Sequence, residues 1–183
     1  MALTDTPICD FGWNAAHFHL SDPNGVMHSV EQVMGTNGLL VAFICNHCPY
    51  VKAIANDFAK DAEMLKSIGV GVVAIMPNDY LTYPDDSPTK MLEFASKHNF
   101  DFPYLIDQSQ SVAKAYGAVC TPDFFGFNSS YELQYRGRLD NLGVNKSGER
   151  QPDLVNAMSL VAKSSRGPNT QVASIGCSIK WRG

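Results

Sequence analysis

The chain has 183 residues, 45% of them hydrophobic, enough for one substantial buried core. Its formal net charge of -4 leaves no basic footprint for nucleic acid or an anionic membrane surface. No apolar run approaches the roughly 20 residues that a membrane span needs, and residues 1–10 (MALTDTPICD) lack the basic start and apolar stretch of a secretory leader. The expectation is a cytoplasmic protein with a single domain over residues 1–183.

In chain order, residues 18–20 and 26–30 flank Ser21-Asp22-Pro23-Asn24-Gly25, a turn-forming run that predicts an N-terminal hairpin. Residues 39–44 (LLVAFI) form a continuous apolar run that reads as a buried strand. Val51, Ile54, Ala55, Phe58, Ala62 and Leu65 then recur at helical spacing. A second apolar run, 70–76 (VGVVAIM), follows Gly69 and predicts a parallel strand that closes a βαβ unit. Ser87-Pro88 has the form of an N-cap followed by proline at the first helical position, predicting a helix to about residue 98.

Residues 102–106 read as a short strand and 109–116 as a short helix stopped at Gly117. Residues 124–127 and 131–139 flank Asn128-Ser129-Ser130 and predict an antiparallel hairpin, with a last helix over 154–163. From 164 to 183 the chain is rich in Ser, Gly, Pro and Asn. Its order rests on whether Ile175, Ile179 and Trp181 dock.

The five cysteines are Cys9, Cys45, Cys48, Cys120 and Cys177, an odd number that argues against a structural disulfide framework. Cys45-Asn46-His47-Cys48 lies where the buried strand gives way to the helix, and unpaired N–H groups at a helix start stabilise a thiolate. The spacing puts Cys48 about one turn on, within reach of a mixed disulfide on Cys45. Cys45 is therefore the expected nucleophile and Cys48 the resolving thiol.

With these residues in place the chain resembles the thioredoxin-like superfamily, in its redoxin or alkyl-hydroperoxide-reductase/thiol-specific-antioxidant (AhpC/TSA) branch. The resemblance rests on FICNHCPYV (43–51), LIDQ (105–108) with AKAYG (113–117), and CTPDFF (120–125). RGRLD (136–140) and GCSIKW (176–181) resemble an uncharacterised subgroup. The implied fold is α/β: a mixed β-sheet flanked by helices, carrying the N-terminal hairpin and a C-terminal extension. The implied activity is thiol–disulfide exchange on protein or small-molecule substrates.

The resemblance also implies a cis proline at Pro122, with Thr121 and Pro122 presenting an extended substrate to Cys45, and His47 tuning the thiolate. Peroxidase chemistry in this superfamily uses a threonine three residues before the reactive cysteine and a proline seven before it. Ala42 and Gly38 stand there instead, and no arginine lies within 120–128. A degenerate peroxide-reducing site is one rival. The other is a soft-metal module, since thiolate and imidazole at Cys45, His47, Cys48 and Cys120 suit zinc or Cu(I).

Cys120 is expected beside the CxxC pair, either as a third redox thiol or, more simply, as a small buried apolar group. Cys177 reaches the pair only if the tail folds back, and an inert thiol is the plainer expectation. His17, His19, His28 and His98 show no ligand-like spacing. No glycine-rich phosphate loop is present, so no nucleotide or flavin cofactor is implied.

Overall fold

The computed structural model describes residues 3–183; residues 1 and 2, the start of the stretch read for a leader, lie outside the described residues. Gly38–Phe43 forms the strand that organises the molecule, all six residues buried. Apolar side chains on both faces suit a strand covered on both sides. Numbering in chain order, Leu3–Asp5 is β1, His19–Ser21 β2, Met27–Ser29 β3, Val30–Val33 α1 and Gly38–Phe43 β4. Pro49–Ser67 is α2, Val70–Met76 β5, Pro88–Lys97 α3, Tyr104–Ile106 β6 and Ser111–Tyr116 α4. Cys120–Thr121 is β7, Asp123–Phe127 β8, Leu133–Arg136 β9, Asp153–Ser164 α5 and Ile175–Ser178 β10.

The main sheet has the order β6-β5-β4-β8-β9, with β4, β5 and β6 parallel and β8 and β9 antiparallel to their neighbours. Strand alternation splits its side chains into two cores. Leu40, Ala42, Val72, Ala74 and Phe124 pack with Phe58 of α2 and Met158 of α5. Leu39, Val41, Phe43, Val73 and Phe125 face the other way, against Tyr116 of α4 and Phe18. Ile44, Cys45 and Cys48 continue the first core, which is how the pair comes to be buried. Among the described residues no helix is long and apolar enough to cross a membrane.

The predicted elements are present with shifted ends. β2 and β3 pair as the expected N-terminal hairpin. Pro88 opens α3, although the Ser87 side chain makes no capping bond. Gly117 ends α4 in the left-handed conformation, at φ 62°, that suits a residue without a Cβ. The second hairpin is shorter than predicted, with β9 confined to Leu133–Arg136 and a register shift at Gly126/Phe127.

The largest difference lies in the tail. Residues Ile175–Ser178 form β10, the middle strand of a second, antiparallel sheet of order β1-β10-β7. Ile179 is buried, whereas Ile175 and Trp181 stay partly exposed, with Lys114 5.6 Å above the Trp181 ring. Hydrogen bonding rather than apolar docking carries much of this order: Ser174 N donates to Thr6 Oγ1 (3.0 Å) and Lys180 N to Asn78 Oδ1 (2.8 Å).

Candidate active site

The CNHC segment joins the end of β4 to the start of α2. Pro49 occupies the first helical position, so Cys48 is the N-cap of α2 and Cys45 lies three residues outside it. A proline there is pre-set for the helix and sacrifices a donor that has no intrahelical partner. The helix-end position, expected for the first thiol, thus belongs to the second.

Thr121 holds both sulfurs. Its Oγ1 lies 3.2 Å from Cys45 Sγ and its carbonyl oxygen 3.2 Å from Cys48 Sγ, and the Thr121–Pro122 bond is cis as the resemblance implies. Cys177 Sγ of β10 is 3.0 Å from Cys48 Sγ. Cys45, Cys48 and Cys177 are 1%, 0% and 3% exposed, so three thiols share one dry pocket with Cys48 in the middle.

Proximity makes them titrate together. The Cys48 thiol is pushed down to about 5 by the neighbouring Cys45 and Cys177 thiols, against burial. Cys45 moves well up through its interaction with the neighbouring Cys48 and through burial. Burial and its own bond to Cys48 likewise push Cys177 up to about 12. These shifts favour a thiolate on Cys48 over either of its two neighbours.

His47 is anchored by a carboxylate from outside the motif. Its Nδ1 lies 2.7 Å from Asp86 Oδ2 in the 3-10 turn Pro84–Asp86, and its ring stacks on Tyr83 at 6.0 Å. The bond to Asp86 raises the His47 pKa against the opposing effect of burial. For Asp86 burial works upward, but hydrogen bonds from His47 and Asn78 win and hold it below the usual range. Asp86 also accepts the backbone N–H groups of Asn46 (2.8 Å) and His47 (3.2 Å), which fixes the loop between the cysteines.

Donor atoms of Cys45, His47 and Asp86 lie within 4.8 Å of one another, a spacing that suits a metal ion. The Asp86 carboxylate, however, already accepts from Asn46, His47 twice and Asn78, which uses the roughly four lone-pair sites a carboxylate offers. Cys120, counted in the soft-metal alternative, is not among these donors.

Several expectations change. Cys120 adjoins Thr121 in sequence, but successive strand residues point to opposite faces, and its Sγ contacts only the Pro122 carbonyl, at 3.5 Å. The Thr121 edge expected to receive a substrate is already paired: Cys177 stands opposite Thr121 and Ser178 opposite Cys120. One strand edge has one set of free N–H and C=O groups, and β10 uses them. Cys177, expected to be inert, is a direct neighbour of Cys48.

The departures from the peroxidase pattern have local structural reasons. Gly38 has φ 145°, which proline cannot adopt, and a Cβ there would sit 2.4 Å from the Phe127 carbonyl oxygen. Arg136 is bound to Asp123 at 2.9 Å and Arg138 to Asp153 at 2.6 Å. His17 bonds to Glu31 and His98 to Asn56, away from the cysteine pair, while the buried Nε2 of His28 has no hydrogen-bond partner among the described residues.

The sequence singles out Cys45, His47 and Cys48 but misses Asp86 and Tyr83, which sit in a turn-rich stretch with no periodic signal. Only the closing GCSIKW run marks Cys177.

Comparison with known proteins gives relatives over the whole length. The crystal structure of an uncharacterized conserved protein from Geobacillus kaustophilus superposes with a TM-score of 0.93 at 37% identity, covering 100% of this chain and 97% of that one. A hypothetical protein from Sinorhizobium meliloti 1021 gives 0.93 at 39% identity, covering 98% and 99%. A secreted Mycobacterium tuberculosis disulfide oxidoreductase shares the fold at a TM-score of 0.60 and 17% identity, covering 78% and 94%. No curated protein matches the sequence. The AhpC/TSA family model matches residues 11–141, most of the chain, and so the chain belongs to the AhpC/TSA family, in the redoxin branch of the thioredoxin-like superfamily.

Proposed function

We propose that this chain is a thiol–disulfide oxidoreductase that cycles Cys45 and Cys48 between dithiol and disulfide, acting on thiol or disulfide groups of proteins or small molecules. The observation that carries it is the geometry: Thr121 stands 3.2 Å from the Cys45 sulfur and 3.2 Å from the Cys48 sulfur at the start of α2, where the Cys48 thiol is shifted down. A thiol shifted down becomes a nucleophile without taking a base from solvent.

Cys45 takes the first attack. It is an end sulfur of the trio, beside His47, whose side chain reaches the surface, whereas Cys48 lies between two thiols. Attack on a substrate disulfide R–S–S–R′ forms Cys45–S–S–R, expels R′–S⁻ and hands the Cys45 proton to Cys48. The Cys48 sulfur then attacks Cys45, closes the intramolecular disulfide and releases R–SH with that proton. The substrate gains two electrons, and a dithiol reductant reverses the steps to restore the pair.

Thr121 positions both sulfurs, and Asp86 orients His47. Protonated His47 places a positive charge near the thiolate. Because both sulfurs are buried, exchange requires the residues around them to shift.

The test is equilibration of the full chain with glutathione redox buffers. A reversible two-electron couple is expected, lost in Cys45→Ser and in Cys48→Ser. No reversible couple in the native chain overturns the proposal.

A further inference from the structure

We propose that Cys177 is a third redox thiol that exchanges with Cys48, passing the Cys45–Cys48 disulfide on to Cys48–Cys177. This rests on the dithiol reading above and extends it to a second, alternative disulfide.

The placement of Cys177 is built into the fold. β10 lies between β1 and β7, with Cys177 directly opposite Thr121, the residue that touches both other sulfurs. A Cβ on Gly176 would stand 2.1 Å from the Thr121 carbonyl oxygen, so only glycine lets β10 come this close. Both ends of the strand are tied down. Ser174 Oγ donates to the Pro122 carbonyl (2.9 Å), Lys180 N to Asn78 Oδ1 (2.8 Å), and Arg182 N to Gln110 Oε1 (2.8 Å).

The two sulfurs stand 3.0 Å apart. A disulfide bond is about 2.05 Å long, so closure needs a movement of about an ångström rather than a rearrangement. Two thiols fixed this way react as one molecule, with the high effective concentration that orientation supplies.

The step is redox-neutral within the protein. The Cys177 sulfur attacks Cys48 Sγ of the Cys45–Cys48 disulfide, forming the Cys48–Cys177 bond and breaking the Cys45–Cys48 bond. Cys45 leaves as a thiolate and takes up the proton that Cys177 gives. The oxidising equivalents come from the substrate disulfide already reduced at Cys45. Substrate and regenerating dithiol then meet different ends of the relay, the first at Cys45 beside His47, the second at Cys177 on β10. The sulfur pocket would also be locked to its own C-terminal strand while oxidised.

The experiment maps disulfides in the full chain. Reduced protein is oxidised with glutathione disulfide, acid-quenched, blocked with N-ethylmaleimide and cleaved without reduction, and the linked peptides are sequenced by mass spectrometry. The expected result is a Cys48–Cys177 link in the native chain, enriched in Cys45→Ser and lost in Cys48→Ser and Cys177→Ser. Normal formation of Cys45–Cys48 with no link to Cys177 in the native chain overturns the relay while leaving the dithiol reading intact. Absence of both links overturns the dithiol reading as well. The native chain decides the matter alone if a variant fails to fold.

Discussion

Cys48 and Cys120 are both fully buried cysteines beside the Thr121–Pro122 turn, yet their thiols are shifted in opposite directions, Cys48 down and Cys120 up. Cys48 stands at the N-cap of a 19-residue helix, and the neighbouring Cys45 thiol pulls its pKa down. Both sulfurs meet a carbonyl oxygen, Cys48 that of Thr121 at 3.2 Å and Cys120 that of Pro122 at 3.5 Å, but Cys48 has the Cys177 sulfur 3.0 Å away, whereas Cys120 feels the carboxylate of Asp123. Burial drives the Cys120 thiol far above its ordinary value, and Asp123 adds to the effect. Exposure therefore does not separate a reactive sulfur from an inert one here. The supply of donors does, because a desolvated anion survives only where hydrogen bonds replace water.

The sharpest way to break that contrast is to titrate the reduced protein by the ultraviolet absorbance of thiolate. One thiolate is expected at neutral pH, vanishing as the pH falls through about 5, and absent at neutral pH in Cys48→Ser. The sign follows from the shift: Cys48 is more acidic folded than its ordinary value of 9.0. Its ionisation adds stability in full above pH 9 and progressively less as the pH falls toward 5. Cys45 and Cys177, shifted upward, work against folding at the alkaline end. A reduced native chain with no thiolate at neutral pH would remove the basis of the comparison.

A second, smaller effect concerns the carboxylate that fixes the loop. Asp86→Ala leaves two backbone N–H groups, the Asn78 amide and the His47 ring unpaired. Breaking such a buried pair costs about 3–5 kcal/mol, measurable by urea unfolding. His47 has a raised folded pKa, so its share of the pair's contribution is complete below its ordinary 6.5 and is lost as the pH rises through the raised folded value, while the Asp86 share is lost only in acid. The gap between native and variant should narrow accordingly. A gap unchanged with pH would show that Asp86 acts through the loop alone and not through the His47 charge.

Much of this arrangement was legible in the sequence because it rests on local patterns. The apolar runs at 39–44 and 70–76 and the helical spacing from Val51 to Leu65 define the βαβ unit, and Pro49 marks where α2 begins. The same proline carries information easily misread: it moves the helix start to Cys48 and takes the N-cap from Cys45. Asp86 and Cys177 were not legible as site residues, since each reaches the pocket through tertiary contacts. Asp86 is 39 residues from His47, and Cys177 is 129 residues from Cys48. β10 is held by backbone pairing to β1 and β7, which a Ser- and Gly-rich composition does not announce.

The smallest expected effect comes from the other member of the comparison. Cys120→Ala removes one buried sulfur with no polar partner except the Pro122 carbonyl, so the loss is mainly apolar contact, about 1 kcal/mol in unfolding free energy. Because the side chain points away from the Cys45–Cys48–Cys177 pocket, the glutathione-measured couple should keep its native midpoint. The midpoint is the more telling of the two measurements. A core cavity lowers stability wherever it lies, whereas only a sulfur in communication with Cys48 shifts the potential. A shifted midpoint in Cys120→Ala with unfolding left near native would place Cys120 in the sulfur network after all. An unshifted one confines the redox chemistry to the face of β7 that carries the Thr121 side chain.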